Sequence, residues 1–486
     1  MQRFIKRMAA AAVMTTLLLT GATGLKAEST YGCMDLDGFQ YLPSLEGSNG
    51  VFFRISPELR NFHAFSDETV EDMARLSEVL RSRGTTLVYA PIPPKAMIMT
   101  EFLPRRAFDY GFDPQLATTV YDDMVRRLRN AGVVTANVRK GLVVGAGGGE
   151  PYFKTDYRLN ALGTQLVAQT VATALSGVDE DSVMYGVGSQ PTGQVEIQSA
   201  MRDILQRHCS LELPKASTAT YETTMMAARN GFNDPVAPRS RQVTVTPNPR
   251  SSSPRPNFNG SRQTTGSAQI GSETFGGSPI LRQRREISVP RPGVGGNLVL
   301  VGTEYSATDA SGMAAAMQAY TGMSVTTYAL EDGGAYGGIS SYLTNGGSDA
   351  SVLVWENPVY NNLAQFGDQP MSELIASSNG SCTISIPLNM TSGSSTATAD
   401  LGRISQSNAN TLFLDTDGVI AKEVKFTFTG NNGYERTKFV TRRSDTAQSS
   451  RFFVTLSGLW NDGVRSVSIQ SDAALGAAPR LTACTN

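Results

Sequence analysis

Apolar residues along the first 375 positions alternate between helical spacing and short continuous runs. Ser66 can cap a helix whose apolar face includes Val70, Met73 and Leu76 and which ends at Gly84. The same patterns predict helices at 116–130, 160–175 and 309–320, and strands at 85–90, 133–138, 297–301, 324–329 and 351–355. Helices that alternate with buried strands are typical of a parallel sheet covered by helices.

Residues 232–292 interrupt this alternation. The segment is dominated by Ser, Pro, Gly, Asn and Gln, and it carries nine Arg, three acidic residues and no Lys. Such a composition cannot bury a core, so we predict a disordered basic insertion within one domain. It is either a solvated loop or an arm that contacts an acidic polysaccharide or protein.

The hydrophobic period changes to two after about residue 380. Val424, Phe426 and Phe428 share one face of a predicted strand, and turn residues separate several such segments. These segments are 411–414, 423–429, 434–442, 451–456 and 464–469. The pattern predicts an antiparallel β-sandwich at 376–486, following an α/β domain at 28–375.

The N-terminus has the layout of a secretory signal. Arg3, Lys6 and Arg7 precede an apolar run at 8–20, and small residues lead to Ala27. We expect residues 1–27 to be cleaved, leaving a periplasmic protein without a membrane span; an uncleaved anchor is the alternative. The net charge of -1 indicates no bulk attraction to nucleic acid or membrane.

The four cysteines fit an oxidising compartment and allow three pairings. Cys382 and Cys484 bracket the C-terminal module, which favours a bridge between them and leaves Cys33 to pair with Cys209. The pairing stays open at this point. The sequence contains no C-x-x-C pair or Cys/His cluster, so we predict neither a metal site nor a cofactor.

A strand-to-helix turn follows the predicted strand at 297–301. In hydrolase-like α/β domains such a turn presents a nucleophile, and here its third position is Glu304. The chain has two histidines, His63 and His208, and neither lies in a recognisable base motif. We expect His208 to be a neighbour of a disulfide, since it precedes Cys209.

Several strings, taken in order, resemble the AlgX family of periplasmic alginate O-acetyltransferases and its SGNH-hydrolase-like relatives. They are Asn49-Gly50-Val51-Phe52-Phe53, Ala90-Pro91-Ile92-Pro93-Pro94-Lys95, Tyr152-Phe153-Lys154-Thr155-Asp156, Leu300-Val301-Gly302-Thr303 with Tyr305-Ser306, and Leu353-Val354-Trp355-Glu356. The cysteine positions and the trailing β-module extend the likeness over nearly the whole mature chain. The resemblance implies an SGNH-hydrolase-like α/β domain and a small carbohydrate-binding module.

In this family an aspartate orients a histidine, which activates a serine for transfer of an acetyl group to a sugar hydroxyl. Carried over by motif, Asp156 is retained, Arg158 occupies the base position and Glu304 occupies the nucleophile position. Arg158 stays protonated and cannot act as a base. We therefore hypothesise a bidentate Glu304–Arg158 salt bridge, joined by Asp156, across the former site.

The residues around this site and in the β-module suggest polysaccharide contacts. Lys95 and Tyr157 are candidates near the pocket, as are Trp355 and Glu356, with core packing as the alternative for Trp355. The β-module mixes cations and aromatic side chains suited to an anionic polymer: Tyr434, Arg436, Lys438, Arg442, Arg443 and Trp460. The alternative is an ordinary solvated sheet face.

Three functions remain open from the sequence. The first is a non-catalytic polysaccharide-binding protein of exopolysaccharide biosynthesis. The second is an active O-acetyltransferase with a rewired site, through Glu304 or through His63 entering the pocket; we expect Ser306 to point elsewhere. The third is a scaffold that binds envelope proteins of polysaccharide export or acetylation.

Overall fold

The computed structural model describes most of the chain beyond the predicted signal. The described residues are 29–61, 65–178, 191–221, 296–307, 312–347, 349–379, 381–404, 409–443, 448–459 and 463–485. The predictions for the signal at 1–27, for His63, for the insertion at 232–292 and for Trp460 lie outside these residues.

A five-stranded parallel sheet forms the centre of the α/β domain. The strands of this domain are β1 (Ser44–Glu46), β2 (Phe52–Arg54), β3 (Thr86–Ile92), β4 (Val134–Thr135), β5 (Pro191–Glu196), β6 (Ser217–Tyr221), β7 (Asn297–Val301), β8 (Ser324–Thr327) and β9 (Val352–Pro358). The sheet order is β4-β3-β9-β7-β8, and every neighbouring pair is parallel. Two antiparallel hairpins, β1–β2 and β5–β6, lie outside this sheet. The carboxyl ends of β3, β7 and β9 therefore meet at one edge.

Helices connect these strands. They are α1 (Ile55–Glu58), α2 (Asp67–Ser82), α3 (Lys95–Ile98), α4 (Pro114–Asn130), α5 (Val138–Gly145), α6 (Ala161–Ser176), α7 (Ala200–Gln206), α8 (Glu304–Ala307), α9 (Met313–Thr321), α10 (Gly337–Thr344) and α11 (Gln369–Ser378). Short 3-10 segments occur at Ser48–Gly50, Thr100–Phe102, Arg105–Tyr110 and Leu363–Phe366. Ser66 and Asn160 accept hydrogen bonds from the first turns of α2 and α6, as their polar side chains predict.

One predicted strand is mostly wrong. Only Val134–Thr135 of the segment 133–138 joins the sheet. Asn137 instead accepts a hydrogen bond from the backbone N–H of Lys140 and caps α5, so Val138 begins a helix. The capping amide therefore outweighs the apolar run that suggested a longer strand.

The C-terminal module is an antiparallel β-sandwich, as predicted. Its strands are β10 (Cys382–Ile386), β11 (Thr396–Asp400), β12 (Ala409–Asp415), β13 (Glu423–Gly430), β14 (Glu435–Thr441), β15 (Arg451–Thr455), β16 (Val464–Ser471) and β17 (Arg480–Thr485). The sheets run β10-β17-β12-β15 and β11-β16-β13-β14. Val424, Phe426, Phe428 and Phe452 are fully buried between them. The hydrophobic pattern did not predict β10, β11 and β17, because their Ser, Thr and Ala residues give a weak signal.

Two disulfides join Cys33 to Cys209 and Cys382 to Cys484. This pairing agrees with the one favoured by the positions of the cysteines. Cys382 and Cys484 are register partners on β10 and β17, so their bridge ties both ends of the module together. No helix within the described ranges is long and apolar enough to cross a membrane.

Candidate functional site

The site lies where β7 and β9 end. Gly302 and Thr303 lead from β7 into the short helix α8, which begins at Glu304. A Cβ atom on Gly302 would lie 2.3 Å from Oε2 of Glu356, so only glycine allows this close approach. The expected strand-to-helix turn is present, and Glu304 is its first helical residue.

Glu356 anchors the turn from below. Its side chain is fully buried and accepts hydrogen bonds from the Thr303 backbone N–H at 2.9 Å, the Thr303 hydroxyl at 3.0 Å and the Ser306 hydroxyl at 2.9 Å. Burial raises the pKa of Glu356 to about 7, and the charge of Glu304 acts in the same direction, while the Thr303 and Ser306 hydrogen bonds oppose both. Glu356 is therefore a structural carboxyl group with no surface for sugar.

We expect Glu356 to make stability depend on pH. Because its folded pKa is about 7 against a model value of 4.5, the folded chain binds more protons here between these values. Its contribution is fully present below pH 4.5 and is lost as pH rises through 7, with a limit on the order of 3 kcal/mol. Urea unfolding at pH 5 and pH 8 should show this loss in the parent but not in Glu356→Gln. An equal change in the free energy of unfolding between pH 5 and pH 8 in both proteins would contradict the raised pKa of Glu356.

Arg158 is bound to Asp156. The backbone N–H and Nε of Arg158 donate to Oδ1 at 2.8 and 3.0 Å, and Nη2 donates to Oδ2 at 2.9 Å. Nη2 also donates to the carbonyl of Gln198 at 2.7 Å. Burial alone would raise the pKa of Asp156, but the hydrogen bonds and charge of Arg158 hold it below its usual value. Asp156 is thus a paired, permanently ionised group at neutral pH.

Glu304 does not meet Arg158. Its Oε1 accepts a hydrogen bond from the Tyr360 hydroxyl at 3.1 Å, and its side chain is half-buried. Across the part of the chain that the structure describes, Arg158 forms its ion pair with Asp156 and none with Glu304. The hypothesis of a Glu304–Arg158 bridge is therefore wrong. Asp156, only two residues away, gives the guanidinium a local bidentate partner without spanning the pocket.

Arg54, at the end of β2, is a site residue that the sequence analysis missed. Its guanidinium carbon lies 3.6 Å from the ring centroid of Tyr157 and 5.1 Å from that of Tyr360. Nε of Arg54 pairs with Glu58 at 2.9 Å. Stacking on two rings and pairing with a carboxylate hold the cation in place. Its only signal in the sequence was its position directly after the family-like string that ends at Phe53.

Lys95 is fully buried and does not face a polysaccharide. Its Nζ donates to three backbone carbonyls, those of Phe153 at 3.1 Å, Lys154 at 3.3 Å and Asp156 at 2.8 Å. Burial lowers the pKa of Lys95 to about 8, while the charges of Glu58 and Asp156 act in the opposite direction. This corrects its assignment as a sugar contact, because the residue instead fixes the segment that carries Asp156. Tyr157 is half-buried beneath Arg54.

Three of the predicted cations of the β-module also have structural roles. Arg442 is buried and paired with Glu373 of α11. Register places Arg436 opposite Phe428 and Lys438 opposite Phe426, on the inward face of β14. Arg436 donates to the carbonyl of Gly458, and Lys438 donates to those of Thr455 and Ser457. These contacts correct the assignment of Arg442 and Lys438 to an exposed binding face, whereas Arg436 remains exposed while it contacts Gly458. Tyr434 and Arg443 remain exposed.

Two further expectations concern residues away from the turn. Trp355 is fully buried and its Nε1 donates to the carbonyl of Ala335, which confirms core packing. His208 lies 4.3 Å, centroid to centroid, from Phe39 and beside the Cys33–Cys209 bridge, where we expected it.

Comparison with a solved structure supports this architecture. The structure superposes on AlgX of Pseudomonas aeruginosa with a TM-score of 0.60 and 18% identity, over 92% of this chain and 95% of that chain. The O-acetyltransferase domain of Pseudomonas putida AlgJ aligns with a TM-score of 0.41 and 16% identity, over 69% of this chain and 99% of that domain. No curated protein matches the sequence significantly.

A family model matches just under half of the chain. Residues 45–277 match the model described as an SGNH hydrolase-like domain of the acetyltransferase AlgX. The matched range contains Asp156 and Arg158, whereas Glu304 lies beyond it. Residues 45–277 are therefore similar to the SGNH hydrolase-like domain of AlgX, and the superposition on AlgX shows that the chain shares its fold.

Proposed function

We propose that this protein is a non-catalytic member of the AlgX family that binds an anionic polysaccharide during exopolysaccharide biosynthesis in the periplasm. The pairing of Asp156 with Arg158 is the observation that supports this proposal most strongly. Both of its carboxylate oxygens accept hydrogen bonds from Arg158, in the place where the family aspartate orients a histidine. A guanidinium cannot remove a proton from a nucleophile at physiological pH.

The other candidate nucleophiles are also engaged. Glu304 accepts a hydrogen bond from Tyr360, and the hydroxyl of Ser306 is committed to the buried Glu356. A serine hydroxyl needs an adjacent base that is free to take its proton. Ser306 is only 3% exposed, and Glu356, which it contacts, is fully buried and also accepts hydrogen bonds from Thr303, so neither group is open to a substrate. This arrangement supports a site that is retained as a scaffold.

The exposed aromatic residues of the β-module are the best candidates for glycan contact. Tyr434 is 73% exposed and Phe439 is 47% exposed. Phe439 pairs in register with Lys425, so an aromatic ring and an ammonium group lie side by side on the outward face of β13 and β14. Aromatic rings stack on sugar rings, and ammonium groups pair with uronate carboxylates. We assign the proposed glycan contacts to Phe439 and Lys425 on this face and to the exposed Tyr434, which lies directly before β14.

Affinity for immobilised alginate tests this surface. We expect the parent to be retained, and the Tyr434→Ala/Phe439→Ala double variant to bind about tenfold more weakly, because two ring contacts are lost. Salt should weaken binding through Lys425. Phe108→Ala is the matched control, since Phe108 is 58% exposed on the α/β domain and should have no effect. Unchanged affinity of the double variant would exclude the surface.

The Tyr360–Glu304 pair favours one alternative function, a rewired transferase. Its hydroxyl and carboxylate lie 3.1 Å apart at the nucleophile turn. Burial, however, raises the pKa of Tyr360 well above its usual value, which disfavours the phenolate. We expect no hydrolysis of a chromogenic acetyl ester. Hydrolysis that disappears in both Glu304→Ala and Tyr360→Phe would establish the alternative. Recovery of envelope proteins without polysaccharide binding would instead favour the scaffold.

A further inference from the structure

Helix α11 and the β-module meet through a buried ion pair. The side chains of Arg442 and Glu373 are 2% and 5% exposed. Nη1 of Arg442 donates to Oε2 of Glu373, and Nη2 donates to Oε1 at 2.6 Å. Arg442 follows β14 directly, whereas Glu373 belongs to the helix that closes the α/β domain. The pair therefore joins the two modules and excludes water from both charges.

Both charges have further partners that are fixed to the backbone. Nη2 of Arg442 also donates to the carbonyl of Arg451 at 2.8 Å, and its guanidinium carbon lies 4.9 Å from the ring centroid of Phe452. Oε1 of Glu373 accepts the backbone N–H of Phe453 at 3.3 Å. Glu373 is thereby bound to both β14 and β15. Because these hydrogen bonds are directional, they favour one orientation of α11 relative to the β-module and oppose small rotations of the helix.

Other contacts lie near this pair, where α11 meets the β-module. Phe453 lies on the outer face of its sheet and is nevertheless only 6% exposed, stacked 4.6 Å from Phe413. Asn379, just after α11, donates to the hydroxyl of Thr411 at 3.1 Å. The Phe413–Phe453 stack lies within one sheet of the module. The single Asn379–Thr411 hydrogen bond defines an orientation less sharply than a buried bidentate pair does. The orientation of the modules is therefore most sharply defined by the charged contact.

We propose that Glu373 and Arg442 form an interdomain clasp that fixes the orientation of the β-module on the α/β domain. The clasp acts on the relative position of the two modules and does not depend on whether the protein binds polysaccharide. Removing one partner leaves a buried charge without compensation, which favours separation of the surfaces so that water can reach it. Removing both charges leaves the other contacts between the modules without this buried directional pair.

Distances between spin labels test the clasp. Labels at Val144→Cys and Ile420→Cys lie on exposed positions, one in each module. We expect a single narrow distance distribution in the full chain, and one at least twofold broader in Glu373→Gln. The Glu373→Met/Arg442→Met variant has no unpaired buried charge and should fold. We expect its distance distribution to broaden as in Glu373→Gln. Glu196→Gln removes an exposed pair with Lys215 and should leave the distribution narrow.

The double methionine variant tests the clasp even if Glu373→Gln fails to fold. Circular dichroism that matches the parent establishes that the variant is folded. A broad distribution in the folded variant supports the clasp. A distribution as narrow as that of the parent would overturn the proposal, since the remaining contacts, which include the Asn379–Thr411 hydrogen bond, would then define the orientation.

Discussion

Replacing Arg158 with alanine should lower the free energy of unfolding by about 3 kcal/mol at pH 7, because it strands a buried carboxylate. Asp156 is only 1% exposed, and both of its carboxylate oxygens accept hydrogen bonds from Arg158. The measurement is urea unfolding of the parent and the variant. The matched control is the same change in an Asp156→Asn background, where no charge is stranded and the loss should be much smaller.

The pH dependence of this loss identifies its cause. In the parent, pairing with Arg158 keeps the pKa of Asp156 below its model value of 3.8, against the opposing effect of burial. The resulting stability is present above that value and is lost as pH falls through the lower folded pKa. The variant lacks the pairing, so burial is opposed only by weaker contacts such as the Ser199 hydrogen bond, and the Asp156 carboxyl takes up a proton at milder acidity. The difference between parent and variant should therefore narrow below neutral pH; a constant difference would contradict the assignment.

Replacing Cys382 and Cys484 with serine should cost about 4 kcal/mol in the stability of the β-module. The bond closes a sequence separation of 102 residues, and loops of that size give a disulfide a large entropic effect on the unfolded chain. Thermal unfolding of the double variant and of the parent should show the loss. The parent under reducing conditions is a further comparison, although it also loses the Cys33–Cys209 bond. A variant as stable as the oxidised parent would contradict this prediction.

The parts of the fold that depend on local sequence were predicted well. Ser66 and Asn160 cap their helices because a short polar side chain reaches the first free N–H groups, whatever the rest of the chain does. The strand at 297–301 and the alternating face of Val424, Phe426 and Phe428 follow from burial with a fixed period. Both the α/β domain and the β-sandwich could therefore be predicted from the sequence alone.

The partners of the charged residues could not be predicted in this way. Arg158 and Glu304 have complementary charges, but charge alone does not predict which carboxylate lies nearer to the guanidinium. In the structure Arg158 pairs with Asp156. The inward direction of Lys438 depends on its register with Phe426, which is a long-range pairing. Arg54 reaches the site from a hairpin that the sequence analysis did not predict. The site is thus defined by tertiary contacts among residues whose own sequence signals are weak.

The inward cations of β14 also affect how this protein behaves at high concentration. β14 is an edge strand, and the exposed edge of a sheet is a template for pairing with a second chain. Lys438 and Arg436 occupy the inner face and reach across to carbonyls of the segment 455–458. An incoming strand would have to displace these ammonium and guanidinium groups and bury them. The charges first considered as ligands for a polymer therefore protect the module against edge-to-edge aggregation.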